Sequence, residues 1–277
     1  MGKAQLSPLL SGKINFFENT FFMKQETKEK LDYLVVKYNN SSFIKPDPIG
    51  LVHRFSDQKD IEIFGLIIAT LSWGNRKSII KSGENLLKIM NNDPFRFVIN
   101  FNENELNLLE DFKHRTFNAF DLQFFILRLK KIYKRFSSLE ELFAPYFRKN
   151  NNSFEAIVNF RKEFLGEHNE IRTKKHIANP IKGSAAKRIN MFLRWMVRKD
   201  NKGVDFGIWN KISPSKLSCP LDVHSGRSAR EFNLLKREQN DWKAVEELDI
   251  SLRKLDCEDP VKYDFALFGM GIESKEF

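Results

Sequence analysis

Hydrophobic residues recur every three or four positions along most of this chain, and the alternation typical of a β-strand is rare. Such spacing places the apolar side chains on one face of an amphipathic helix, so the sequence predicts a predominantly α-helical protein. Clusters of Asn, Asp, Ser and Pro mark the turns between the helices. The predicted helices cover a segment around residues 31–36 and residues 57–71, 78–90, 121–136, 139–147, 153–164 and 188–198. We expect these helices to pack on one another rather than on a sheet.

The composition is that of a soluble globular protein. The chain has 277 residues, of which 42% are apolar, so it can bury the core of one large or two small domains. Its longest apolar run, residues 61–73, is interrupted by Glu62 and Thr70 and is too short to span a bilayer. The N-terminus has no sustained apolar signal segment, and two cysteines cannot build a four-cysteine zinc site or iron–sulfur cluster. We therefore expect a cytoplasmic protein without a membrane anchor.

Positive charge is concentrated in one part of the chain. Residues 172–202 contain a single acid, Asp200, and ten basic residues: Arg172, Lys174, Lys175, Lys182, Lys187, Arg188, Arg194, Arg198, Lys199 and Lys202. That window carries nearly all of the formal net charge of +10. Clustered positive charge is typical of a surface that binds a polyanion such as nucleic acid.

A glycine-containing turn lies within this basic window. Residues 183–187, GSAAK, lead directly into the helical run 188–198. A tight turn before a helix presents backbone N–H groups and the positive end of the helix dipole, which together bind phosphate. Lys187 opposes that dipole unless an anion is bound nearby, and Lys187, Arg194 and Arg198 fall on one helical stripe.

The segment 220–227, PLDVHSGR, supplies a carboxylate beside a histidine and an arginine. A carboxylate next to the C1′ atom of a sugar stabilises the positive charge that develops when a glycosidic bond breaks. A lysine amine can attack the same carbon and form a Schiff base. Asp222 and Lys187 are therefore a candidate catalytic pair, although Asp is also among the best helix N-caps.

These segments resemble the helix-hairpin-helix DNA glycosylases, the superfamily of endonuclease III and 8-oxoguanine glycosylase. Residues 220–227 resemble the signature Pro-Val-Asp-x-His-x-x-Arg of that family, and residues 183–187 resemble its hairpin Gly-Val-Gly-x-Lys. Residues 67–73 are similar to a family helix that ends in Leu-Ser, and residues 265–271 are similar to a late helix of Leu-Trp-x-x-Gly type. The resemblance covers residues from about 60 to 275.

The resemblance implies an all-α, two-lobed fold with the active site in the cleft between the lobes. One lobe would be a six-helix-type domain, residues 57–200, that ends in the hairpin and its second helix. Residues 1–56 and 201–277 would form the other lobe. It also implies a monomer without an iron–sulfur cluster, with a monovalent cation as a candidate at the hairpin.

The function implied is removal of a damaged base, with an oxidised purine favoured, from double-stranded DNA, with Schiff-base AP-lyase activity. Such a protein would be cytoplasmic and associated with the nucleoid. Asp222 and Lys187 would be catalytic. DNA contacts are expected from Gly183, Ser184, Ala185, Arg188, Arg194, Arg198, Asn75, Arg76, His224 and Arg227, and the base pocket from Trp73, Trp209 and Phe268.

Two features depart from the family pattern. Ala185 replaces the second hairpin glycine, and alanine tolerates a positive φ poorly. Lys187 and Asp222 are 35 residues apart, a wider gap than in the common members and similar to that in archaeal 8-oxoguanine glycosylases. The additional residues, 200–219, would form a lid or a longer loop.

Other functions stay open on the sequence. A non-catalytic helix-hairpin-helix module that binds DNA or RNA would keep the hairpin and the basic window. An amidase or other hydrolase that uses His224 and Asp222 would lack a positioned nucleophile.

Overall fold

A computed structural model describes residues 25–148, 151–167 and 172–273 of the chain. Helices make up 64% and strands 2% of the structure, so the predicted all-α class is confirmed. Residues 25–38 form α1, and the later helices are α2 (Ile49–Val52), α3 (Gln58–Leu71), α4 (Arg76–Ile89), α5 (Pro94–Asn100), α6 (Ala119–Tyr133), α7 (Leu139–Phe143), α8 (Phe154–Leu165), α9 (Lys187–Val197), α10 (Val223–Glu231), α11 (Trp242–Arg253) and α12 (Tyr263–Glu273). None of the described helices is long and apolar enough to cross a membrane.

Short 3-10 turns connect several of the helices, at Ser41–Phe43, Glu103–Leu109, Ala144–Phe147, Arg172–His176, Pro180–Lys182, Pro214–Lys216 and Pro260–Lys262. One small antiparallel hairpin, β1 (Lys113–His114) and β2 (Phe117–Asn118), precedes α6. The helix predicted over 139–147 is shorter than expected because Pro145 tightens its second half into a 3-10 turn.

Capping side chains set the helix starts. Asp57 accepts the Lys59 N–H at 2.8 Å, so α3 begins where the sequence predicts it. Asn75 accepts the Lys77 N–H at 2.9 Å, which starts α4 two residues earlier than predicted. Asn118 and Asp121 form a reciprocal capping box at the start of α6.

Helix α3 lies in the core, where its residues from Ile61 to Leu71 are buried, and the helix predicted over residues 57–71 is confirmed. Gly65 of α3 faces α9, and a Cβ atom there would be in ordinary van der Waals contact with the side chains of Met196, at 3.4 Å, and Phe192, at 3.5 Å. This packing fixes the position of α9 and therefore of Lys187 at its start.

The core contains Trp209, and its prediction as a base-pocket residue is wrong. The side chain is 1% exposed, and its Nε1–H donates to the buried Glu62 carboxylate at 2.7 Å. Tyr133 and the Leu139 N–H donate to the same carboxylate, both at 2.6 Å. Trp209 therefore ties the 200–219 segment to the core, so this segment is a packed connection rather than a lid.

The first and last described helices contact each other. The Tyr263 hydroxyl donates to Asp32 at 3.0 Å, and the Gly269 backbone lies against the Tyr38 ring, where any Cβ atom would clash. Helix α1 therefore packs with the C-terminal part of the chain. The division into residues 57–200 and 1–56 plus 201–277 stays a prediction, and residues 1–24 lie outside the described part.

Candidate functional site

A cavity of about 580 Å³ lies where α9, α10 and α12 meet the end of α3. We call it the Lys187–Asp222 cavity. It brings together eight of the predicted site residues: Trp73, Arg76, Lys187, Arg188, Arg194, Asp222, His224 and Phe268. Most of these residues are far apart in sequence, and the fold places them around one space.

Lys187 and Asp222 are direct neighbours in this cavity. The Lys187 Nζ lies 3.6 Å from the Asp222 Oδ2, and each side chain is about one quarter exposed. The Phe268 ring centre lies 5.6 Å from the Lys187 Nζ, so an aromatic face borders the pair. An amine, a carboxylate and an aromatic ring thus share one solvent-accessible pocket.

Asp222 performs two tasks with its two oxygens. Oδ1 accepts the N–H groups of His224 and Ser225 at 2.8 and 3.0 Å and so caps α10. Oδ2 faces Lys187. The helix-cap and catalytic interpretations of Asp222 are therefore compatible, because the cap fixes the second oxygen in place.

His224 and Arg227 converge on one backbone carbonyl of α12. His224 Nδ1 lies 3.0 Å from the Gly271 oxygen and Arg227 Nη2 donates to it at 2.6 Å. Gly271 permits this approach because a Cβ atom would lie 2.7 Å from the His224 carbonyl oxygen. The two side chains hold α10, and with it Asp222, against α12, while their predicted DNA contacts stay predictions.

The hairpin before α9 has two left-handed residues. Gly183 has φ +85° and Ala186 has φ +51°, and Ser184 Oγ accepts the Ala186 N–H at 3.2 Å. The strain expected at Ala185 therefore falls one residue later. No side chain caps the start of α9, and Gly183 and Ser184 are exposed. The N–H groups of Gly183, Ser184 and Ala186 already donate within the hairpin, so the N–H groups that can meet a phosphate are those of the first turn of α9.

Gly183→Ala tests the hairpin conformation. The substitution should lower the free energy of unfolding by about 1 kcal/mol, because a Cβ atom disfavours the left-handed backbone conformation that residue 183 adopts. Gly203→Ala is a matched control, because Gly203 is also left-handed and an added Cβ atom would meet nothing within 4 Å at either glycine. Urea unfolding should give similar losses for both variants, whereas only Gly183→Ala should weaken DNA binding. Equal DNA affinity of the two variants would contradict the phosphate contact at the hairpin.

The structure places Arg194 and Arg198 in buried ion pairs rather than on an exposed surface, so it does not support their prediction as DNA contacts. They are 4% and 3% exposed. Arg194 donates to Asp205 at 3.2 Å and also to Asp264, and Arg198 donates to Asp259 at 2.8 Å and to Asp205 at 3.2 Å. The two arginines do lie on one stripe of α9. That stripe faces Asp205, in the segment after α9, and Asp259 and Asp264, near the start of α12.

Arg188 has a structural task at the rim of the cavity. Its Nη1 donates at 2.6 Å to the carbonyl of Thr70. This carbonyl lies in the last turn of α3, where carbonyl groups have no hydrogen-bond partner within the helix. Burial lowers the pKa of this guanidinium.

Asn75 is exposed and caps α4, while Arg76 lies 3.8 Å from Asp47. The Arg115 guanidinium lies over the Trp73 ring, 4.4 Å from its centre.

Two carboxylates in the cavity, Asp47 and Asp264, are absent from the sequence-based site. Burial raises the pKa of Asp47, and it raises that of Asp264 to about 6 against the opposing effect of Arg194. Asp47 lies in a proline-flanked turn and Asp264 in the first turn of a helix. Turn formation and the helix dipole explain these residues equally well, so the sequence carries no specific signal for them.

Asp249 fixes the segment that leads to Asp222. Its Oδ1 accepts the Cys219 N–H at 2.9 Å, three residues before Asp222, and Arg253 lies 3.6 Å from its Oδ2. Burial raises the pKa of Asp249 to about 6, although Arg253 opposes the shift.

Asp249→Asn should change the pH dependence of stability. Because the folded-state pKa lies above the usual 3.8, the folded state binds more protons between about pH 4 and 6, and the contribution of this group to stability falls as pH rises through that range. From pH 5 to 7 the wild type should lose about 1 kcal/mol more than the variant. Urea unfolding at both pH values measures this difference. An identical loss in both proteins would contradict the raised pKa.

The described residues contain no group of three or more His, Cys, Asp or Glu side chains that could hold a metal ion. A family model described as "Protein of unknown function (DUF2400)" matches residues 47–273, which include nearly every residue of the Lys187–Asp222 cavity. The chain belongs to this family. Comparison with curated proteins and with solved structures gave no significant match.

Proposed function

We propose that the protein is a DNA glycosylase of the helix-hairpin-helix type, with a two-lobed fold and its active site in the Lys187–Asp222 cavity. The main support is the 3.6 Å approach of the Lys187 Nζ to the Asp222 Oδ2 beside Phe268, although the two residues are 35 positions apart. The hairpin, the capped Asp222 and the basic residues around them support the same conclusion.

The proposed reaction begins with an extruded nucleotide whose base enters the cavity. The Lys187 ammonium loses a proton to water, so Asp222, whose Oδ2 lies 3.6 Å from the Lys187 Nζ, stays ionised. The neutral amine attacks C1′ while the bond between C1′ and the base nitrogen breaks. The electron pair of that bond leaves with the base, which takes up a proton. Asp222 stabilises the positive charge on the sugar during this step.

Strand scission follows from the covalent adduct. The lysine nitrogen, now bonded to C1′, first loses a proton. Its lone pair then forms the protonated imine while the C1′–O4′ bond opens and O4′ takes up a proton. Loss of a proton from C2′ then expels the 3′ phosphate by β-elimination. These reaction steps account for the AP-lyase activity that we propose in addition to base removal.

The lining of the cavity supports recognition of a flat, polar ring. Phe268 and Trp73 offer aromatic faces, and Asp47 and Asp264 offer carboxyl groups. With a pKa of about 6, Asp264 is mostly ionised at pH 7 and can accept a hydrogen bond from the ring, whereas below pH 6 it mostly holds a proton that it can donate. We propose an oxidised purine as the base.

Base release from duplexes that carry 8-oxoguanine or uracil, and strand cleavage at an abasic site, test this function, with undamaged duplex as the control. We expect release from at least one damaged duplex by the wild type and its loss in Asp222→Asn. A wild-type protein that binds these duplexes and releases no base from any of them would reject the enzyme. That result would favour the non-catalytic nucleic-acid-binding alternative.

A further inference from the structure

A second cavity of about 870 Å³ lies on the other side of the hairpin, between α8, the Arg172–His176 turn and the start of α9. We call it the basic cavity. Its lining includes six Lys and Arg residues: Arg161, Lys174, Lys175, Lys182, Lys187 and Arg188. None of the described residues that line it is Asp or Glu. In the Lys187–Asp222 cavity, by contrast, three carboxylates offset the cations.

The turn that carries two of these lysines is held firmly from below. Thr173 donates to the fully buried Asp121 at 2.7 Å, and His176 Nε2 lies 3.4 Å from the same carboxylate. Arg161 donates to the Lys174 carbonyl at 2.9 Å and so fixes the turn against α8. These contacts use the backbone and neighbouring side chains of the turn, and Lys174 and Lys175 still border the cavity.

The floor of the basic cavity is apolar. Leu66 and Ala69 of α3, Phe125 of α6 and Phe160 of α8 form it, while Lys175 and Lys182 are exposed at the rim. A ligand that matches both parts has a flat apolar body and an anionic end. The volume lies within the range of small-molecule sites, about 300–1,000 Å³.

We propose that the basic cavity binds a nucleotide monophosphate, with the phosphate at Lys174, Lys175 and Lys182 and the base over the apolar floor. Lysine ammonium groups bind phosphate through charge-assisted hydrogen bonds, and none of the described lining residues is an acid that would repel the anion. The proposal does not depend on base excision. The nucleotide comes either from solution or from a DNA strand, since both present the same group.

Calorimetric titration of the full chain with deoxyadenosine monophosphate tests the proposal, with deoxyadenosine and inorganic phosphate as partial ligands. Lys175→Ala/Lys182→Ala should weaken mononucleotide binding at least tenfold. Lys81→Ala/Lys88→Ala removes the same charge from exposed positions outside both cavities and should leave binding unchanged.

Equal losses in the two double variants would overturn the proposal, and so would phosphate binding as tight as mononucleotide binding. Displacement of the mononucleotide by undamaged duplex would support a strand nucleotide, and failure of displacement would support a free one. Mononucleotide binding without base release on any lesion would reject the proposed enzyme and leave this site standing.

Discussion

Asp222→Asn should slow base release by about 100-fold or more while leaving the fold intact. The substitution removes the negative charge that faces Lys187, and loss of one such electrostatic contact costs about 10²–10³ in rate. Asparagine caps a helix as well as aspartate does, so the hydrogen bonds to His224 and Ser225 should persist. Single-turnover base release and urea unfolding measure the two effects.

Asp222→Ala separates the two tasks of this residue. It should lose the rate in the same way and, in addition, about 1 kcal/mol of stability, because no side chain then caps α10. If Asp222→Asn keeps the wild-type rate and only Asp222→Ala is impaired, Asp222 is a structural cap and the catalytic assignment is wrong.

Arg194→Met should give the largest loss of stability, about 3–5 kcal/mol. Arg194 is 4% exposed and lies between Asp205 and Asp264, so its removal leaves buried carboxylates without their partner. Urea or thermal unfolding should show the loss at neutral pH. It should be smaller at pH 5, because the pKa of Asp264 is about 6 and the orphaned carboxyl is then largely neutral.

Arg135→Met is the matched control for this variant. Arg135 pairs with Glu163 at 2.8 Å but is 63% exposed, and such pairs contribute about 0–1 kcal/mol. Similar losses in Arg135→Met and Arg194→Met would contradict the account of the buried network.

The helices could be predicted because each carries its own local signal. Apolar spacing indicated α3, α6 and α8, and Asp57 marked the start of α3. Helices α4 and α6 each begin two residues before the prediction, at Arg76 and Ala119, because the caps Asn75 and Asn118 were not recognised from the sequence. Asp222 and Lys187 were found through motif spacing, and the fold places them 3.6 Å apart.

The errors share one physical cause. Arg194 and Arg198 form the basic stripe that a phosphate contact requires, but their acidic partners lie at positions 200–264 and meet them only in the folded chain. The sequence around Trp209 fits a pocket aromatic and a core residue equally well. Only the hydrogen bond to the buried Glu62 in the folded chain identifies Trp209 as a core residue. Asp47 likewise comes close to the other residues of the Lys187–Asp222 cavity only in the folded chain.

Eight of the ten cations in the basic window fall into two groups, and Arg194, which also lines the Lys187–Asp222 cavity, is placed in the first because of its buried ion pairs. Arg172, Arg194 and Arg198 pair with buried or partly buried carboxylates and stabilise the fold. Lys174, Lys175, Lys182, Lys187 and Arg188 border the two cavities beside the hairpin. Local net charge identified the right region, whereas only the folded contacts distinguish the cations that border a cavity from those that hold the fold.

Borohydride trapping on an abasic-site duplex tests the central claim most directly, because the reagent reduces an imine to a stable amine. The wild type should form a covalent complex, and peptide mass spectrometry should find the adduct on Lys187. Lys187→Ala should lose the complex, and Lys202→Ala, which removes an exposed lysine from the same basic window, should keep it. A complex that forms in equal yield with Lys187→Ala, or an adduct on another residue, would contradict the assignment of Lys187 as the nucleophile.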